Sequence, residues 1–128
     1  MPSASDAEKT LYLRLGGYDV IAAIVDEFSQ TLAADPRMVR FVSGMNLERR
    51  KRNRQLTVDY LSAATGGPAL YLGQDMKTAH AGLEITAAEW QIAMDHVERA
   101  LVKLKVPSRE SKELMTVLAA PMGDIVVP

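Results

Sequence analysis

The sequence contains no cysteine. That absence excludes disulfide cross-links, thiolate metal sites and thiol nucleophiles, and it fits a reducing compartment. Histidine is nearly as scarce, with only His80 and His96. Two histidines without an HExxH or HxxxH pair cannot build the usual four-ligand zinc site. No apolar run approaches the ~20 residues of a membrane span. The opening MPSASDAEKTLYLRL has no apolar core of signal-peptide length. A cytoplasmic protein with no membrane partner is therefore expected. The formal net charge of −1 gives no global field to draw in nucleic acid. No Ser/His/Asp set, phosphate-binding loop or pair of catalytic carboxylates stands at a usable spacing. No stretch alternates convincingly with the period of a strand, and no internal repeat occurs.

What remains is helical signal along nearly the whole chain. Its 128 residues suit one domain over 1–128, with residues 1–6 expected as a flexible extension. Ser5 and Glu8 form a capping box for a first short helix ending near Leu15, and Gly16-Gly17 breaks it. Ile21, Ile24, Val25, Phe28 and Leu32 recur at helical spacing over Tyr18–Ala33. Asp35-Pro36 stops that helix, and Met38–Val42 reads as a tight connector. A long helix spans Leu47–Ala64, stopped by Gly66-Gly67-Pro68. One short turn is expected near Met76–His80. Thr86 and Glu89 form a second capping box, opening a helix with Trp90, Ala93, Met94, Val97, Leu101 and Leu104 on its apolar face. Pro107-Ser108 ends it and caps the last helix, which carries Leu114, Val117, Leu118 and Met122. The expected fold class is all-α, with two long antiparallel helix pairs and an irregular segment between them.

His80 lies in that irregular segment. A lone histidine is commonly a surface or hydrogen-bonded residue. It can also hold one axial position of a haem, because the porphyrin supplies the other four nitrogens. The second ring nitrogen then needs an acceptor, often a backbone carbonyl. Leu70, Tyr71, Leu72 and Met76 before His80, and Leu83 and Ile85 after it, supply walls for a planar apolar cofactor.

The stretch from Tyr71 to Leu83, YLGQDMKTAHAGL, resembles the proximal segment of group I truncated haemoglobins. Leu11 through Gly17, Phe28, the Ala34-Asp35-Pro36 corner, Phe41, Gly66-Gly67-Pro68 and Ile85-Thr86 are similar to that family in order and spacing. The resemblance spans residues 10 to 126. It implies a two-over-two helical sandwich around haem b, with His80 as the iron ligand. It also implies a haem wall of Phe28, Phe41, Leu61, Met76, Leu83, Trp90 and Val97, and reversible binding of O2, CO or NO. Oxygen transport, NO dioxygenation, nitrite reduction and weak peroxidase activity are the functions this implies, the enzymatic ones with an electron-donating reductase. Monomer or weak dimer is expected.

The distal side departs from the family. Phe28-Ser29 stands where a Phe-Tyr pair is common, and Val42 replaces a second phenylalanine. Counting back from Gly66-Gly67 matches the family's distal positions to Asn53 and Thr57, but the interval from Gly44 is longer than usual. Gln55 is the alternative distal amide; one helix face cannot present all three. Ser29, Asn53, Gln55 and Thr57 are thus the distal candidates. The absence of the tyrosine predicts faster O2 release and weakens the case for NO dioxygenation. The run Glu48-Arg49-Arg50-Lys51-Arg52-Asn53-Arg54 reads as a solvated face. Its alternatives are propionate contacts by one or two of these cations together with Lys77, and nucleic-acid binding, against which the lack of basic charge elsewhere in the chain counts. Lys51 as a sixth iron ligand lies off the pocket face. His96 reads as surface or interhelix packing.

Overall fold

Thr10 starts the first helix. Its hydroxyl accepts from the Leu13 amide at 3.2 Å and caps α1, Leu11–Leu15. The Ser5–Glu8 box and the 1–6 extension lie outside the described residues, because the computed structural model describes residues 9–127. Gly16 turns the chain with φ 116. A Cβ there would lie 2.5 Å from Val20 Cγ2, so only glycine fits.

α2 runs Tyr18–Ala34 and ends where Asp35 takes the extended conformation imposed by Pro36. A single 3₁₀ turn, Val39–Phe41, follows. α3, Leu47–Ala64, is capped by the Asn46 side chain, which accepts from the Arg49 amide. Gly66, left-handed at φ 92, closes its other end. The short α4, Met76–Ala79, precedes His80. α5, Ala87–Lys103, opens with the full Thr86–Glu89 capping box. α6 spans Ser108–Ala119 and α7 Met122–Ile125.

Two expectations at the C-terminal end are corrected. Ser108 does not cap α6: it is the first helical residue, Pro107 holds the cap position, and no side chain caps the end. Met122 is not part of α6 but opens α7. Pro121, which has no amide hydrogen and clashes with the preceding turn, separates them. A contact absent from the sequence reading is an isolated parallel bridge between Ile85 and Val126, with Val127 N donating to Ile85 O at 2.9 Å. It pins the start of α5 to the chain's end.

α2 packs on both α3 and α5, α6 packs on α5 and α1, and α4 meets α7. The core sits where α2, α3, α5 and α6 converge. Ile21, Val58, Leu101 and Leu114, one from each of those helices, are at most 1% exposed. Burying each contributes roughly 1.5–3 kcal/mol. Arg14 binds α1 to α6 through both oxygens of Glu113 and approaches Glu110 at 3.5 Å. Among the described residues, no helix is long and apolar enough to cross a membrane.

Candidate functional site

The chain between α3 and α5 is mostly irregular, and side chains rather than secondary structure order it. Tyr71 donates its hydroxyl to the Gln74 carbonyl. Its ring meets Tyr60 of α3 edge-on, with centroids 5.3 Å apart. The sequence put Tyr71 among the apolar flanks of His80 but showed neither its hydroxyl bond nor its contact with Tyr60, because contacts between segments leave no local periodic signal. Burial, helped by Tyr60 and Asp75, pushes the Tyr71 hydroxyl above its ordinary pKa.

α4 then brings His80 onto the Met76 carbonyl. His80 Nδ1 lies 2.8 Å from that oxygen. A carbonyl only accepts, so Nδ1 carries a proton, and in the neutral ring Nε2 keeps its lone pair. Nε2 bonds to nothing among the described residues, and the side chain is half-buried. This arrangement satisfies one nitrogen and presents the other as a donor to a metal.

The wall residues divide into three groups. Leu61, Trp90 and Val97 are buried. Phe28, Phe41 and Met76 are half-buried, and Phe28 packs against the core cluster that holds Leu61 and Val97. Leu83 and Lys77 are exposed. Leu83 N donates to the His80 carbonyl at 3.2 Å, so the loop after His80 folds back on it.

On the opposite side, Ser29 lies four residues after Val25 and three before Leu32. Both neighbours are buried, yet Ser29 itself is exposed, so the inward stripe of α2 opens there. The Asn53 amide donates to Met45 Sδ at 3.0 Å, and the Thr57 hydroxyl donates to the Asn53 carbonyl at 2.7 Å. Gln55 is placed elsewhere. Its amide donates to the Tyr18 hydroxyl at 3.1 Å and to Asp59 at 3.0 Å. At 100° per residue it lies about 160° around α3 from Asn53 and Thr57. The structure therefore groups Asn53 with Thr57 and separates Gln55 from them. In the basic run, Arg54 pairs with Asp26 across to α2, holding that carboxyl below its ordinary range. Arg49, Arg50, Lys51 and Arg52 are exposed.

These residues fit a haem. The chain carries a histidine whose outer nitrogen bonds to no described residue, large apolar side chains buried or half-buried on α2, α3 and α5, and exposed small polar groups on α2 and α3. The bacterial-like globin family model matches residues 10–126. The chain belongs to the bacterial-like globin family. It is 32% identical over 110 residues to the group 1 truncated hemoglobin of Mycolicibacterium paratuberculosis, covering 86% of this chain and 79% of that protein. It is 30% identical over 119 residues to a group 1 truncated hemoglobin of Chlamydomonas moewusii, covering 91% and 68%. The Fe(III) truncated hemoglobin of Tetrahymena pyriformis superposes with a TM-score of 0.85 at 24% identity, covering 94% of this chain and all of that one. The two-over-two helical fold of the truncated globins is thus the fold of this chain, and the family is one of haem-binding proteins.

Two side-chain clusters of this globin were missed from sequence. His96 is 6% exposed, which removes its surface reading and keeps the interhelix one. Its Nε2 donates to Asp35 Oδ2 at 2.8 Å, and its Nδ1 is enclosed without a partner. Spacing from Ala93 and Ala100 on the apolar face of α5 was the available signal. Asp35 also accepts three bonds from Arg37, between 2.8 and 3.0 Å. Arg37 first, then His96, holds the Asp35 carboxyl far below the usual carboxylate range. The second cluster centres on Arg40, which pairs with Glu89 at 2.9 Å and holds that carboxyl below its ordinary value.

Proposed function

We propose that this globin binds haem b through His80 Nε2 and takes up a diatomic gas, O2, CO or NO, reversibly on the opposite side. The observation that carries this reading is the 2.8 Å contact from His80 Nδ1 to the Met76 carbonyl. It fixes the ring's tautomer and leaves Nε2 free. Bound haem would supply the iron at which a gas is held.

The chain's own residues supply the rest. Phe28, Phe41, Leu61, Met76, Leu83, Trp90 and Val97 form the apolar wall that excludes water. Lys77, with one or two exposed cations of the basic run over residues 49–54, would pair with the carboxylates of the cofactor. Among distal groups, Asn53 has a second amide hydrogen beyond the one on Met45, and Ser29 has an uncommitted hydroxyl. Thr57 gives its proton to the main-chain carbonyl of Asn53 one turn earlier in α3, so its hydroxyl is already committed within the helix. Gln55 is left out of the site by its bonds to Tyr18 and Asp59. With no phenol among these groups, gas is held by one or two neutral hydrogen bonds, each worth roughly 0.5–1.5 kcal/mol. Such a site suits exchange of ligand in the cytoplasm more than long retention.

Absorption spectra of the haem-supplemented protein in ferric, ferrous and CO forms test the reading. A Soret band that is present in the wild type and collapses in His80→Ala is expected. A wild-type protein with no Soret band contradicts it. Rapid nitrate production when the oxygenated protein meets NO would replace gas carriage with dioxygenation.

A further inference from the structure

The corner between α2 and α3 is fastened to α5 at two points. Asp35 accepts from His96 at 2.8 Å, and Arg40 Nη2 donates to both oxygens of Glu89 at 2.9 and 3.0 Å. Glu89 and His96 are seven residues apart, so they share one face of α5.

Arg40 reaches further than its ion pair. Its Nη1 donates to the Leu83 carbonyl at 3.1 Å, and its Nη2 reaches the Glu84 carbonyl at 3.4 Å. The guanidinium carbon also lies 4.0 Å from the centroid of the Phe41 ring. One side chain thereby joins Phe41, the first turn of α5 and the loop that leaves His80. An isolated ion pair this exposed would contribute little. Here the rigid guanidinium fork serves acceptors on three residues. It also supports Glu84, whose backbone is left-handed at φ 53. A residue other than glycine keeps that conformation only when its surroundings impose it.

We propose that Arg40 is a positioning residue that ties the Phe41 side of the haem crevice to the His80 side and so sets how fast haem leaves. The proposal rests on the haem reading above.

The test is haem transfer from the holoprotein to excess apomyoglobin, followed at the Soret band. Wild type is compared with Arg40→Leu, Arg40→Lys, Glu89→Gln and, as a control surface cation, Arg99→Leu. Glutamine keeps the capping box at the start of α5, so Glu89→Gln removes the ion pair without removing the cap. Arg40→Leu loses haem roughly tenfold faster, the size expected for a lost charged hydrogen bond. Arg40→Lys and Glu89→Gln fall between it and wild type, and Arg99→Leu matches wild type. Amide hydrogen exchange over residues 80–86 of the same holoproteins speeds up in Arg40→Leu and not in Arg99→Leu. Wild-type haem loss in Arg40→Leu overturns the proposal and leaves the haem reading standing. If Arg40→Leu does not fold, wild-type loss in both Arg40→Lys and Glu89→Gln overturns it. A wild-type protein that takes up no haem overturns the haem reading, and this proposal with it.

Discussion

His80 and His96 stand in opposite kinds of place. His80 is half-buried in a loop, with Nδ1 on a backbone carbonyl and Nε2 unclaimed by any described residue. His96 is buried in the middle of α5, with Nε2 claimed by Asp35 and Nδ1 enclosed. Residue type alone does not separate a ligand from a cross-link. What separates them is which nitrogen the protein uses and whether the other can be reached.

The largest effect expected from breaking this contrast is at His80. His80→Gly abolishes the Soret band, and added imidazole restores it. His96→Leu keeps the band in place while lowering thermal stability. Next in size is the core beside His96: Leu101→Ala costs about 2–5 kcal/mol in denaturant unfolding and leaves the Soret position unchanged.

A pH effect follows from Asp35. Its carboxyl in the folded protein lies below the unfolded value of about 3.9. The stability it confers is therefore complete above roughly pH 5 and is lost as pH falls toward the folded value. Asp35→Asn is accordingly less stable than wild type at neutral pH, and the gap narrows on acidification below about pH 4. Equal gaps at pH 7 and pH 3 would contradict this.

The smallest effect lies on the distal side. Asn53→Leu speeds O2 dissociation roughly 2–10-fold in stopped flow, the loss of one neutral hydrogen bond. Gln55→Leu leaves it unchanged, because Gln55 faces Tyr18 and Asp59.

Much of the frame was legible in the sequence. The bounds of α3 and the Thr86–Glu89 box followed from glycine, proline and capping chemistry, which act over a few residues. The break at Pro121 was read through, since the apolar spacing of Leu114 and Leu118 continues to Met122 across it. The pairs Asp35–His96 and Arg40–Glu89 were not legible at all. They join residues 61 and 49 apart, and no local pattern records such a meeting. The distal register was ambiguous because the interval from Gly44 to Gly66 is long. The structure turns Gln55 to Tyr18 and Asp59, away from Asn53 and Thr57, and the Tyr18 contact is between helices, which periodicity alone does not record.

The central claim is that His80 Nε2 is the proximal ligand. Resonance Raman of the ferrous protein tests it most directly. An iron–histidine stretching band is predicted in the wild type. In His80→Gly it should be absent, and it should return shifted when imidazole is added. The same band, unshifted, in His80→Gly without imidazole would contradict the account.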